Sequence, residues 1–242
     1  MIRTKRMKLK YLKLSSLIDA AYQCGMNNTP VSLYIAGDSG IGKTWAARSV
    51  CEYPNVLYYS AAYSPNEYKK FVADKAQGTK MFIHDDLGLS GSYNIRDFIP
   101  AWNMMIDGKI DYRHYKTSIA RKTNFSIVLI STLGSYYNWY DTMYELGLID
   151  RVLGIKLSLS DETRMNYMIN AQNDSETGKD NNVPEQRKPH LREKHEPLRD
   201  LFTMNISPRY VKNLLRMSMY LNGSEMLELI KIIKESTVEY EV

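Results

Sequence analysis

The sequence predicts an α/β protein, with a five-stranded, mostly parallel sheet between helices and a small helical part at the C-terminus. Three observations point there. A mostly apolar run at 31–36 leads through a glycine-rich loop into helical periodicity from Lys43 to Cys51. Further apolar runs then alternate with amphipathic segments as far as Leu159. Beyond that point only helical patterns recur.

With 242 residues the chain can bury a large core, as one large domain or as a main domain with a small one. No apolar run approaches the ~20 residues that cross a bilayer, so no membrane partner is expected. The basic N-terminus lacks an apolar segment followed by a small-residue cleavage site, and no secretory signal is expected. Cys24 and Cys51 are too few for a disulfide scaffold, and neither forms a metal-ligand pair with a nearby histidine. A reducing, cytoplasmic setting is expected. The net charge of +5 does not by itself establish nucleic-acid binding.

The first 13 residues carry Arg3, Lys5, Arg6, Lys8, Lys10 and Lys13 without an acid, and read either as a phosphate-contacting arm or as a solvated tail. Leu14, Leu17, Ile18, Ala21 and Tyr22 then follow helical spacing, with a break at Gly25 to Pro30. The loop that follows, Gly37, Asp38, Ser39, Gly40, Ile41, Gly42, Lys43 and Thr44, matches the nucleotide-binding P-loop pattern G-x-x-x-x-G-K-[ST]. That chemistry needs glycines because backbone N–H groups must approach a triphosphate closely and the turn needs positive φ. Lys43 is expected to reach the β- and γ-phosphates of ATP, and the Thr44 hydroxyl to ligate Mg²⁺.

A second strand is expected at 56–60, then a helix opened by the capping box of Ser64 and Glu67 with Pro65 in its first position. The apolar run Met81, Phe82, Ile83 and His84 ends in Asp85 and Asp86, the Walker B arrangement, on a strand expected beside that of the P-loop. Asp85 is expected to hold Mg²⁺ and Asp86 to orient or deprotonate the attacking water. His84 reads as a packing residue. Ile95, Phe98, Ile99, Trp102 and Ile106 mark a further amphipathic helix, stopped by Gly108.

Residues 109–116 alternate as a half-exposed strand does, and a basic stretch leads on to the next one. Lys109, Arg113, Lys116, Arg121 and Lys122 on this excursion read equally as a nucleic-acid contact or as a solvated hairpin. The most apolar strand, 125–132, ends in Ser131 and Thr132, either of which suits a water-positioning role. The aromatic residues at 136–140 read as a helix. Arg151 precedes the fifth strand, 152–159, and reads either as a cation for a neighbouring subunit's γ-phosphate or as half of a local pair with Asp150. A helix is expected from Ser160, a flexible polar insertion at 173–197, and two helices after Ser207 and Pro208.

In their order these features resemble an AAA+ ATPase, over most of the chain from Leu14 to the helix at Ser207. The resemblance implies a P-loop NTPase fold divided into a basic arm (1–13), a nucleotide-binding core (14–159) and a helical lid (160–242). It implies ATP hydrolysis at a subunit interface in a ring, expected to be a hexamer, or in a filament. Residue by residue, Asp85 and Asp86 match Walker B, Ser131 or Thr132 the first sensor, Arg151 the arginine finger and Arg209 the second sensor on the lid. Asp86 stands where the family usually has glutamate, and a hydroxyl stands where the first sensor is commonly asparagine, which implies slow or partner-stimulated turnover. The 83–88 segment is similar to helicase loaders and transposition ATPases, and the excursion is placed like the DNA-contacting hairpin of superfamily-3 viral helicases. The resemblance thus implies action on DNA in replication, with a protein partner possible. Two alternatives remain: a P-loop kinase using lid arginines such as Arg209 or Arg216 in cis, and a nucleotide-gated interaction module without turnover.

Overall fold

The computed structural model describes residues 13–38, 41–60, 64–85, 95–114, 117–132, 148, 150–157 and 207–237. Its strands are β1 (Ser32–Gly37), β2 (Val56–Tyr59), β3 (Met81–His84), β4 (Lys109–His114), β5 (Thr117–Lys122), β6 (Ser126–Thr132) and β7 (Leu153–Leu157). Five of them form one parallel sheet in the order β2-β3-β6-β1-β7, and β4 and β5 pair as a separate antiparallel hairpin. Near-continuous burial along β1, β3 and β6 is what a parallel sheet covered on both faces demands.

The helices α1 (Leu14–Met26) and α2 (Lys43–Arg48) cover one face of the sheet, joined by α5 (Pro208–Met217) and α6 (Gly223–Thr237). Leu33, Ile35, Ile83, Val128, Ile130 and Ile155 point into this layer, which also holds Leu214, Met217, Leu229 and Ile233 from the C-terminal helices. These two helices, expected as part of a lid, therefore share their core with the sheet. The opposite face carries Tyr34, Tyr59, Phe82, Ile127 and Leu129, and is covered by α3 (Pro65–Lys75), α4 (Ile99–Ile106) and the hairpin. The period-2 alternation of the strands assigns successive residues to the two layers.

Local signals explain most boundaries. The Ser64 side chain accepts from the Glu67 N–H while the Glu67 carboxylate accepts from the Ser64 N–H, the reciprocal capping box. Gly78 and Gly108, at φ 83° and 88°, turn the chain after α3 and α4. The helix expected as one unit from Ile95 is instead a 3₁₀ turn, Ile95–Phe98, followed by α4. Pro100 in the first turn of α4 explains the restart, because it lacks an N–H and crowds the preceding turn.

The strand order corrects one expectation. The strand that ends at Asp85 does not stand beside β1; β6 lies between them, paired to β1 from Ser32↔Ile127 to Gly37↔Thr132 and to β3 from Met81↔Ser126 to His84↔Leu129. Its run of buried residues suits β6 to that inner position. Gly37 is needed at the end of β1 for space: a Cβ there would lie 2.3 Å from the Leu157 carbonyl oxygen on β7.

The basic arm up to residue 12, the aromatic segment 136–140, the helix expected from Ser160 and the insertion at 173–197 lie outside the described residues. No helix among the described residues is long and apolar enough to cross a membrane.

Candidate functional site

Because all five strands run parallel, their C-terminal ends share one edge of the sheet, the edge at which open α/β sheets bind ligands. Gly37, Asp85 and Thr132 all reach it. The loop that leaves β1 enters α2 through Gly42, whose φ of 86° is strained for any side chain-bearing residue. Ser39 and Gly40 lie outside the described residues, while Asp38 and Ile41 are buried.

The loop returns Lys43 upon itself. The ammonium donates to the carbonyl oxygens of Gly37 at 2.9 Å and Asp38 at 2.7 Å, and the residue is only 6% exposed. Thr44 is carried past the end of β6 to the strand beyond, where its Oγ1 donates to Asp85 Oδ1 at 3.3 Å. Asp85 is fixed by its own N–H, which donates to the Tyr59 carbonyl at 2.9 Å, and by the Tyr58 hydroxyl, which donates to Oδ2 at 2.7 Å. Burial, with the Asp85 carboxylate as its hydrogen-bond acceptor, pushes the Tyr58 phenol up to about 12, so it keeps its proton and acts as the donor. The positive charge of Arg48, from α2, acts on both the Tyr58 phenol and the Asp85 carboxylate.

Thr44 and Asp85 are hard oxygen donors, the kind Mg²⁺ prefers. Among the described residues no group of three His, Cys, Asp or Glu side chains would hold an ion alone. Mg²⁺ does not require one, since it commonly takes one or two carboxylates and completes its shell with phosphate and water. Asp86 lies outside the described residues.

The two hydroxyls at the end of β6 part company. Ser131 is buried on the α3–α4 face, its Oγ 2.6 Å from the Tyr34 hydroxyl, and so faces away from Lys43 and Thr44. Thr132, one residue on, falls by strand alternation on the α2 face with Val128 and Ile130, and is only half-buried. His84 sits on the far face too, within 4.8 to 6.4 Å of the rings of Tyr59, Tyr68, Phe82, Phe98 and Trp102, which bears out its packing role.

That packing has a pH signature. Burial pushes the His84 imidazole down to about 3, and its Nδ1 has no hydrogen-bond partner among the described residues. Between pH 6.5 and 3 the unfolded chain binds the proton that the folded one refuses, so stability rises with pH in this window and is fully present above 6.5. Acidification from pH 6.5 is expected to cost about 1.4 kcal/mol per pH unit from this residue. Urea denaturation at pH 7 and pH 5 checks it: His84→Phe is expected to lose less stability than wild type over that interval, and equal losses would refute the assignment.

Arg151 and Arg209 lie together, but at the other edge of the sheet. Arg151 Nη1 pairs with Asp107 Oδ2 at 2.9 Å and Arg209 Nη1 with Asp107 Oδ1 at 3.1 Å, just beyond the end of α4. Arg151 thus pairs with Asp107 and not with its neighbour Asp150. Asn213 binds both the N–H and the carbonyl of Ser32, and Arg216 donates to the Pro30 carbonyl, so α5 is tied to the start of β1. Arg209, expected over the nucleotide as a second sensor, is held instead near the N-terminal ends of β1 and β7, about 16 Å of strand from Gly37.

The basic excursion forms the β4–β5 hairpin. Ile110 and Tyr112 are buried against α3 and α4, while Lys109, Arg113 and Lys122 are exposed on the opposite side. Arg113 is engaged by Asp111 at 3.0 Å. Arg121, level with Ile110, is exposed near the hairpin base, and Lys116 lies outside the described residues.

Residue types and spacing singled out neither Tyr58, Arg48 nor Asp107. Tyr58 reads in sequence as one more aromatic of a strand, and Asp107 as a helix-ending residue before glycine. Compared with known proteins, the chain matches no protein-family model and none of the curated proteins searched.

Proposed function

We propose that the chain binds ATP with Mg²⁺ at loop 37–44, hydrolyses it, and works on DNA as an oligomeric ATPase of the AAA+ kind, in replication, helicase loading or a related remodelling step. The observation that carries this reading is the 3.3 Å approach of Thr44 to Asp85, two residues 41 positions apart that the sequence motifs assign to one metal. The strand order, with Thr132 beside Gly37 at the same sheet edge, supports it as a P-loop fold.

Thr44 and Asp85 would hold Mg²⁺, which would supply positive charge against that of the phosphates. Lys43 exchanges its bonds to the Gly37 and Asp38 carbonyls for phosphate oxygens. Asp86 orients or deprotonates the attacking water, and Thr132, on the face of Thr44, suits a water contact better than Ser131 does. Arg151 is remote from its own loop, which supports a role at a neighbour's γ-phosphate and hence a ring or filament in which each subunit completes the next site. The same remoteness of Arg209, and the Pro30 contact of Arg216, weaken the kinase reading, which needs such arginines in cis. The exposed Lys109, Arg113 and Lys122 support contact with a phosphate backbone.

The test is ATPase rate against protein and DNA concentration, with Arg151→Ala also mixed into Lys43→Ala. The specific rate of wild type is expected to rise with both concentrations, and the two variants, each inactive alone, to regain activity on mixing, because one keeps the loop and the other the arginine. A mixture that stays inactive, with a wild-type rate indifferent to DNA and to protein concentration, would overturn the proposal.

A further inference from the structure

Asp85 has two carboxylate oxygens with different partners: Oδ1 is met by Thr44 and Oδ2 by the Tyr58 phenol. Tyr58 is level with Ile83 in the β2–β3 ladder, and Asp85 lies two residues past Ile83 on the same face, so the two side chains meet diagonally across adjacent strands. A carboxylate at a strand end turns freely about two side-chain torsions. A hydrogen bond at one oxygen fixes its plane and aims the other. Arg48, exposed on α2, places its positive charge close enough to act on both this phenol and the Asp85 carboxylate. Through Thr44 and Tyr58, Asp85 is thus tied both to the helix that begins at Lys43 and to β2.

We infer that Tyr58, supported by Arg48, is a positioning residue that holds Asp85 with Oδ1 turned to the metal beside Thr44. The inference rests on the reading of Thr44 and Asp85 as the Mg²⁺ site. Tyr58 touches neither nucleotide nor metal in this role; it sets the metal affinity of the nucleotide complex through the carboxylate.

The experiment is calorimetric titration of the full chain with ATP, in EDTA and over a series of Mg²⁺ concentrations. Tyr58→Phe keeps the ring and is expected to bind metal-free ATP within about twofold of wild type. The Mg²⁺ concentration giving half-maximal tightening is expected to rise about tenfold or more, the weight of one lost hydrogen bond to a charged acceptor. Arg48→Gln is expected to shift it in the same direction by less, and the double variant no further than Tyr58→Phe alone. Since Arg48 is exposed, that variant carries the test should Tyr58→Phe not fold. A wild-type Mg²⁺ dependence in both variants, or equal weakening with and without Mg²⁺, overturns the positioning role while leaving the site assignment intact. Wild-type protein whose ATP binding ignores Mg²⁺ overturns the site assignment, and the positioning role with it.

Discussion

Lys43→Ala is expected to lower ATP·Mg²⁺ affinity about a hundredfold or more and to abolish turnover, because it removes a buried positive charge from the loop. The ammonium that now satisfies the Gly37 and Asp38 carbonyls is the only part of the side chain able to meet a phosphate. Its loss also leaves those carbonyls without this donor, so the loop is expected to loosen and the melting temperature to fall slightly. Calorimetry with ATP and Mg²⁺ reads the affinity, and circular dichroism confirms the fold. Near-wild-type affinity in a folded Lys43→Ala protein would sink the assignment of loop 37–44 as the nucleotide site.

Trp102→Ala is expected to be the most damaging single truncation of the core. Trp102 is fully buried in α4, stacks on Phe98 at 6.2 Å and 19°, and approaches the His84 ring at 5.8 Å. Its indole N–H donates to the Tyr68 hydroxyl at 3.0 Å. Truncation empties the centre of the second layer and strips the buried phenol of that donor, a loss of about 3–5 kcal/mol. For a chain of this size that corresponds to a melting temperature lower by about 10 °C. Trp102→Phe is expected to recover most of the packing and to remain about 1 kcal/mol short for want of the hydrogen bond. Thermal and urea denaturation measure both variants, and a loss under about 1 kcal/mol for the alanine would refute the cluster's role.

The two layers meet at His84 and Asp85. His84 turns into the aromatic layer and Asp85 turns toward α2, because successive side chains of a strand point to opposite faces. A strand end is therefore where a rigid core and a chemical group stand one residue apart. The same alternation separates Ser131 from Thr132, which spacing alone could not do: without strand pairing, either phase of the pleat is allowed.

Residue order alone determined the α/β class, the strand–loop–helix unit from 31 to 51, the capping box at Ser64 and the run ending at Asp85. These are legible because each depends on a local rule: burial in a parallel strand, a cap, a positive-φ glycine. Tertiary structure decided what no local rule contains. It placed β6 between β1 and β3, and brought Thr44 across it to Asp85. It gathered Arg151 and Arg209 on Asp107 at the far edge, because α5 is bonded to the start of β1 and not to its end. Strand order and helix docking are set by long-range pairing and packing, whose partners lie tens to more than a hundred residues away along the chain. For that reason the motif at 37–44 could be read directly from residues, while the contact of Tyr58 with Asp85 emerged only from the fold.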